Sequence, residues 1–175
     1  MKLMYKTFGI MALLATAGAL TAQEKGSAYL KTSVNPGRAG VFVDGKYIGP
    51  AGNFGVGRKY ALPAGQHQVK LVDPRYEELS TTVDLKAGQT TKLSETLKPL
   101  APPKGPFGGL RTPVPDKYAA VYVNDKYYGH AGEFNNPTQS LQLPLGEYTV
   151  RVEPPSGAPI TQKVTIEAGK TVLVK

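Results

Sequence analysis

The sequence predicts an all-β protein: two small antiparallel β-sandwich domains of immunoglobulin-like character, in tandem behind a signal peptide. Three observations carry this. Val and Thr recur in short punctuated runs, with 20 Gly and 15 Pro among 175 residues and no Trp, a composition that favours strands and turns over helices. No stretch after the N-terminus has the apolar spacing of a long amphipathic helix. The chain also repeats itself: shifted by 80 positions, Leu30, Thr32, Val34, Ala39 and Val41 meet Leu110, Thr112, Val114, Ala119 and Val121, so one architecture is used twice.

The elements follow in order along the chain. Lys2 and Lys6 precede an apolar run over 8–20 and the polar "QEKG", which reads as a signal peptide over 1–22 with small residues suited to cleavage after Ala19 or Ala22. The run is short for a comfortable membrane span, and an uncleaved anchor is the minor alternative. The first domain, 28–98, offers "AYLKTSV", "GVFVD", "KYIG", "KYALP", "HQVKLVD", "LSTTVDL" and "TTKLSETL" as strands. Asp44-Gly45 suits a type I′ hairpin turn, where both central residues need positive φ. That turn sets Val43 opposite Lys46, Phe42 opposite Tyr47 and Val41 opposite Ile48, with Val41, Val43 and Ile48 facing the core and the aromatic pair facing the other way.

A Pro/Gly-rich segment over 99–109, within "KPLAPPKGPFGGL", reads as a partly stiff linker. The second domain, 110–175, repeats the hairpin with Tyr122 opposite Tyr127 and the weaker turn Asn124-Asp125. One inserted residue then moves the offset to 81, so that Leu62-Pro63-x-Gly65 meets Leu143-Pro144-x-Gly146 and Val69 meets Val150.

The stretch from Pro36-Gly37-Arg38-Ala39 through Val41-Phe42-Val43-Asp44-Gly45 to Gly49 resembles the PEGA domain, named for Pro-Glu-Gly-Ala followed by alternating Val and an Asp-Gly turn. The second copy is looser: Pro115 to Ala119 carries one extra residue, and the turn is Asn124-Asp125. "LPAGQHQVKL" and "LPLGEYTVRV" are similar to the family's later Gly-rich turn into a Val-alternating strand. Tyr76 matches the aromatic that follows, which "PPSGAPI" lacks. The resemblance spans almost the whole mature chain. It implies a β-rich module of an exported or cell-surface protein associated with envelopes and surface layers, and it names no chemistry.

Residue chemistry narrows the function further. The chain has no Cys, which removes disulfides, thiolate zinc sites and lipidated cysteine. Without Lys2 and Lys6, 19 basic residues stand against 13 acidic ones, a charge of +6. Such a charge suits weak attraction to anionic envelope polymers. No basic run or recognition module points to nucleic acid, and no integral membrane insertion is expected once the signal is cleaved. His67 lies in phase with Val69 and Leu71, and its repeat counterpart is Tyr148, so it reads as a core-edge residue rather than a catalytic one. His130 aligns with Pro50, Asp44 with Asn124 and Asp73 with Pro154, so the copies share no acid–base pair. "GNFGVG" over 52–57 has neither a following helix nor a closing Lys-Ser/Thr, which excludes a phosphate loop. No clustered ligands suggest a metal or a cofactor.

What remains is surface chemistry. Phe42 with Tyr47, Tyr122 with Tyr127, and the loop residues Phe54 and Phe134 form the candidate ligand or partner surface, able to stack on sugar rings or anchor a protein. The competing expectation, which coverage of a small sandwich favours, is that each loop folds over its hairpin and buries the pair. The expected function is a non-catalytic exported protein, periplasmic, cell-surface or extracellular, that binds or strengthens cell-envelope polysaccharide or an envelope protein. A glycan-binding module is the alternative, and a weak hydrolase using His67 or His130 stands last.

Overall fold

The computed structural model describes residues 26–175; the signal peptide expected over 1–22 lies outside them. The first domain comprises β1 (Ser27–Asn35), β2 (Gly40–Val43), β3 (Lys46–Pro50), β4 (Tyr60–Pro63), β5 (Gly65–Val72), β6 (Leu79–Leu85) and β7 (Thr90–Thr96). The second repeats them as β8 (Phe107–Arg111), β9 (Ala120–Val123), β10 (Lys126–His130), β11 (Leu141–Pro144), β12 (Gly146–Glu153), β13 (Ile160–Ile166) and β14 (Thr171–Leu173). A four-stranded sheet, β3-β2-β5-β6, faces a three-stranded one, β4-β1-β7, and the second domain has the same orders in β10-β9-β12-β13 and β11-β8-β14. The fold is all-β and duplicated, as the sequence predicts.

The pairing is not wholly antiparallel. β1 runs parallel to β7, and β8 to β14, because the chain crosses between sheets after β6 and β13 and lays its last strand along its first. Alternation then fills each sandwich from both sides. Leu30, Val41, Val43, Val69, Leu71, Leu85 and Leu93 close one core, and Leu110, Val121, Val123, Val150, Val152, Val164 and Ile166 the other. Each such side chain taken from water stabilises the fold by about 1.5–3 kcal/mol, which in a chain without Cys is the main source of stability.

Both hairpins turn as expected, with φ of 50° and 82° at Asp44 and Gly45 and 47° and 60° at Asn124 and Asp125. The register beyond them differs from expectation. Val43 pairs with Lys46 and Phe42 with Tyr47, but Val41 pairs with Gly49 rather than Ile48, across a bulge; Val121 likewise pairs with Gly129. Gly49 and Gly129 make the bulge with φ of 137° and 147°, which costs glycine little. Ile48 is displaced to the core margin, where it is half-buried.

The linker is shorter than its composition suggests. The Leu97 and Leu100 amides donate to the carbonyls of Asn35 and Arg75, and Pro99 bridges to Tyr76, so the chain stays fastened to the first domain as far as residue 100. Phe107, Gly108 and Gly109, expected in the linker, already belong to β8. Gly109 pairs with Gln142 on one side and Thr171 on the other, and two flanking strands hold a segment that composition reads as loose.

The domain seam and the candidate surface residues

The aromatic residues on β2, β3, β9 and β10 do not form solvated faces, and the loops do not cover them. Each domain covers the aromatics of the other. The outer faces of the two four-stranded sheets meet, burying Tyr122, Tyr127, Val72 and Ala120 with Phe42 and Tyr47 packed against them. Tyr127 is the central ring, 5.3 Å from Tyr47, 5.4 Å and perpendicular from Phe42, and 5.9 Å from Tyr122, centroid to centroid. These are favoured tilted and edge-on arrangements. Tyr127 keeps 4% of its surface exposed, so it cannot stack on a free ligand.

Gly40 makes the docking possible. A Cβ at this position would lie 2.6 Å from Tyr127 Cε1, a distance no side chain can hold, so β2 offers bare backbone where the ring sits. Tyr47 and Tyr127 are repeat equivalents, and their hydroxyls approach to 3.4 Å. The seam is therefore quasi-symmetric at its centre, each copy presenting the same residue to the other. Desolvation raises both phenol pKa values above the ordinary range, which keeps the pair neutral.

Phe54 and Phe134 follow a different course. Each is buried in the core of its own domain, and Phe54 meets Tyr60 edge-on at 5.5 Å. A short 3-10 turn carries each loop back over the hairpin, Ala51–Phe54 in the first domain and Ala131–Glu133 in the second. The buried Thr32 and Thr112 hydroxyls donate to the carbonyls of Ala51 and Ala131 at 2.5 and 3.3 Å. Covering loops were expected, and they cover the loop aromatics rather than the strand pairs.

A polar network that the sequence did not reveal flanks the aromatic seam. Asp73 is 2% exposed and accepts hydrogen bonds from Arg38 Nε at 2.9 Å and from Arg75 Nε and Nη2 at 2.8 and 2.9 Å. Burial pushes its pKa up, but the hydrogen bonds and charge of Arg75, with Arg38, outweigh that and hold it below the usual carboxylate range. Arg75 Nη2 also reaches Glu133 Oε2 of the second domain at 3.4 Å. Glu133 in turn lies 3.0 Å from His130 Nδ1. Because Asp73 aligns with Pro154, repeat comparison hides this network: it serves contact between the copies, not either copy alone.

His67 is held by its surroundings. Its Nδ1 lies 2.6 Å from Asp44 Oδ2 and its Nε2 2.9 Å from the Pro63 carbonyl, so neither ring nitrogen is open to a substrate proton. Asp44 Oδ1 accepts the Gln68 amide at 2.9 Å. The second domain reproduces two of these three contacts with other residues: the Tyr148 hydroxyl donates to the Pro144 carbonyl at 3.0 Å, and Asn124 accepts the Thr149 amide at 2.9 Å. Among the described residues no group of three or more His, Cys, Asp or Glu is placed to hold a metal ion.

A duplicated, cysteine-free sandwich whose copies are joined face to face, with both ring nitrogens of His67 engaged by neighbours, defines a tandem β-module. The chain belongs to the PEGA domain family, which it matches over residues 28–101 and 116–175. No curated protein matches it. Among solved structures it is similar to the Bacillus anthracis TIE protein, at 17% identity over 86% of this chain and 33% of that one, with a TM-score of 0.31. The chain thus spans about a third of the length of that protein. No helix among the described residues is long and apolar enough to cross a membrane.

Proposed function

We propose that this is a non-catalytic exported protein of the cell envelope, in which two PEGA domains act as one rigid body that binds and braces an envelope polymer or an envelope protein. The observation that carries this reading is the seam. Aromatic side chains that would serve an independent binding module are spent on joining the copies, and the product is a single unit suited to spacing or strengthening. The family membership supports an envelope setting, and the +6 charge of the mature chain supports attraction to anionic polymers. Hydrolysis through His67 is disfavoured because both of its nitrogens are engaged.

Co-sedimentation of the purified protein with isolated cell-wall and envelope polysaccharide tests this at low and high salt. Retention supports the reading, and its salt dependence separates charge attraction from specific contacts. Free protein in the supernatant at both salt concentrations, together with no cross-linked envelope partner in cells, would refute it.

A further inference from the structure

Two clefts open to solvent along the seam, of about 480 and 450 Å³, and share Pro155 of the β12–β13 turn as a common wall. Such volumes are in the range of ligand sites. The first is lined by Lys46, Tyr47 and Arg151, the second by Arg58, Lys59 and Tyr118. We infer that these clefts form one groove, built by both domains, for an acidic polysaccharide. The inference rests on the envelope reading above and adds the site and the class of ligand.

Charge and shape both point this way. Four cationic side chains line the groove against one carboxylate, Glu153, and that one is already ion-paired with Arg151. Lys59 also lies over the Tyr29 ring, and the exposed Lys46 and Arg58 leave an excess of positive charge for uronate carboxylates. Arg58 of the first domain and Tyr118 of the second line the same cleft, so a cation stands at the point where the domains meet. Tyr118 gives the groove a flat, partly apolar wall of the kind on which a sugar ring face packs. Both clefts are open rather than enclosed, which admits a chain passing through better than a single small molecule. The buried aromatic seam is thus the floor of the site rather than the site itself.

Affinity electrophoresis of the purified protein in native gels containing polygalacturonate, with neutral dextran as the comparison, tests the inference. Polygalacturonate should retard the protein and dextran should not. The double substitution Arg58→Gln and Lys59→Gln should weaken retardation roughly tenfold, about what two partly exposed ion contacts supply. Lys31→Gln with Lys92→Gln removes the same charge from the outer face of the three-stranded sheet, where the two residues are paired neighbours, and should leave binding within about twofold. Melting curves matching the unaltered protein will show that both variants fold. Equal weakening by both pairs, equal retention by duplex DNA, or no retardation by polygalacturonate would overturn the groove. Each of those results leaves envelope association standing if the protein still sediments with wall fractions, whereas absence of sedimentation together with no cross-linked envelope partner would remove the underlying reading instead.

Discussion

At the scale of single residues, position 40 and position 67 show how one side chain is fixed by its neighbours. Gly40 has ordinary negative-φ backbone, so its requirement is steric: Tyr127 occupies the volume where a methyl would stand. Gly40→Ala should lower stability by about 1–3 kcal/mol through displacement of the ring, read as a fall in melting temperature that Tyr127→Ala would mask in the double variant. His67 makes the first domain pH-dependent. Burial opposes its protonation, but the Asp44 carboxylate and the Pro63 carbonyl outweigh that and raise its pKa above 6.5. The hydrogen bond to His67 lowers Asp44 below 3.8. A raised histidine contributes stability in full below pH 6.5 and loses it as pH rises through the higher folded value. The lowered aspartate contributes above pH 3.8 and loses it as pH falls through the lower one. Thermal melts should therefore show the first domain weakening on the alkaline side of pH 6.5. His67→Tyr, the choice made at Tyr148 in the second domain, should flatten that slope, and an unchanged slope would show that other groups set it.

At the scale of elements, the hairpins carry the clearest sequence signal and also its limit. Alternating valines and a two-residue turn fixed the face of every residue near Asp44-Gly45, because period-two alternation leaves no freedom once one face is buried. The bulge at Gly49 was not legible, since a glycine after a strand marks equally well an end, a bulge or a turn. The aromatic pairs were placed on the correct face but given the wrong surroundings, because alternation says which residues leave the core and not what they meet outside it. A signal did exist: Gly40, Phe42, Tyr47 and Val72 on one outer face and Ala120, Tyr122 and Tyr127 on the other make contiguous apolar patches beside the charged Lys70 and Arg151, and such a patch marks a contact surface. The second hairpin also predicts a stability gain. Asn124 and Asp125 both hold positive φ, which an L-residue adopts at some cost. Asp125→Gly, restoring the residue found at Gly45, should stabilise the fold by about 1 kcal/mol, seen as a rise in the melting temperature or denaturant midpoint of the protein.

At the scale of the whole molecule, the question is whether two domains melt as one. Domains in one chain move independently unless their interface is large or apolar, and a short Pro-rich connection over 101–106 would by itself permit motion. The cores are separate clusters, each with its own leucines and valines, so either copy can lose its packing without the other. Coupling therefore resides in the seam: the rings around Tyr127, and the Asp73, Arg38, Arg75 and Glu133 network beside them. Calorimetry of the unaltered protein should give one cooperative transition. Tyr127→Ala removes the central ring, a loss comparable to about 3–5 kcal/mol for a buried aromatic, and should split that transition in two, with an increase in the radius of gyration by small-angle scattering. Glu133→Gln removes the ionic contacts to Arg38 and Arg75 across the seam and the charge facing His130, and should leave a single, slightly lower transition, since part-exposed ion pairs contribute about 0–1 kcal/mol. If Tyr127→Ala still melts in one step at unchanged dimensions, the aromatic contact is not what joins the copies, and the rigid unit must be attributed to the contacts of Arg38 and Arg75 with Glu133.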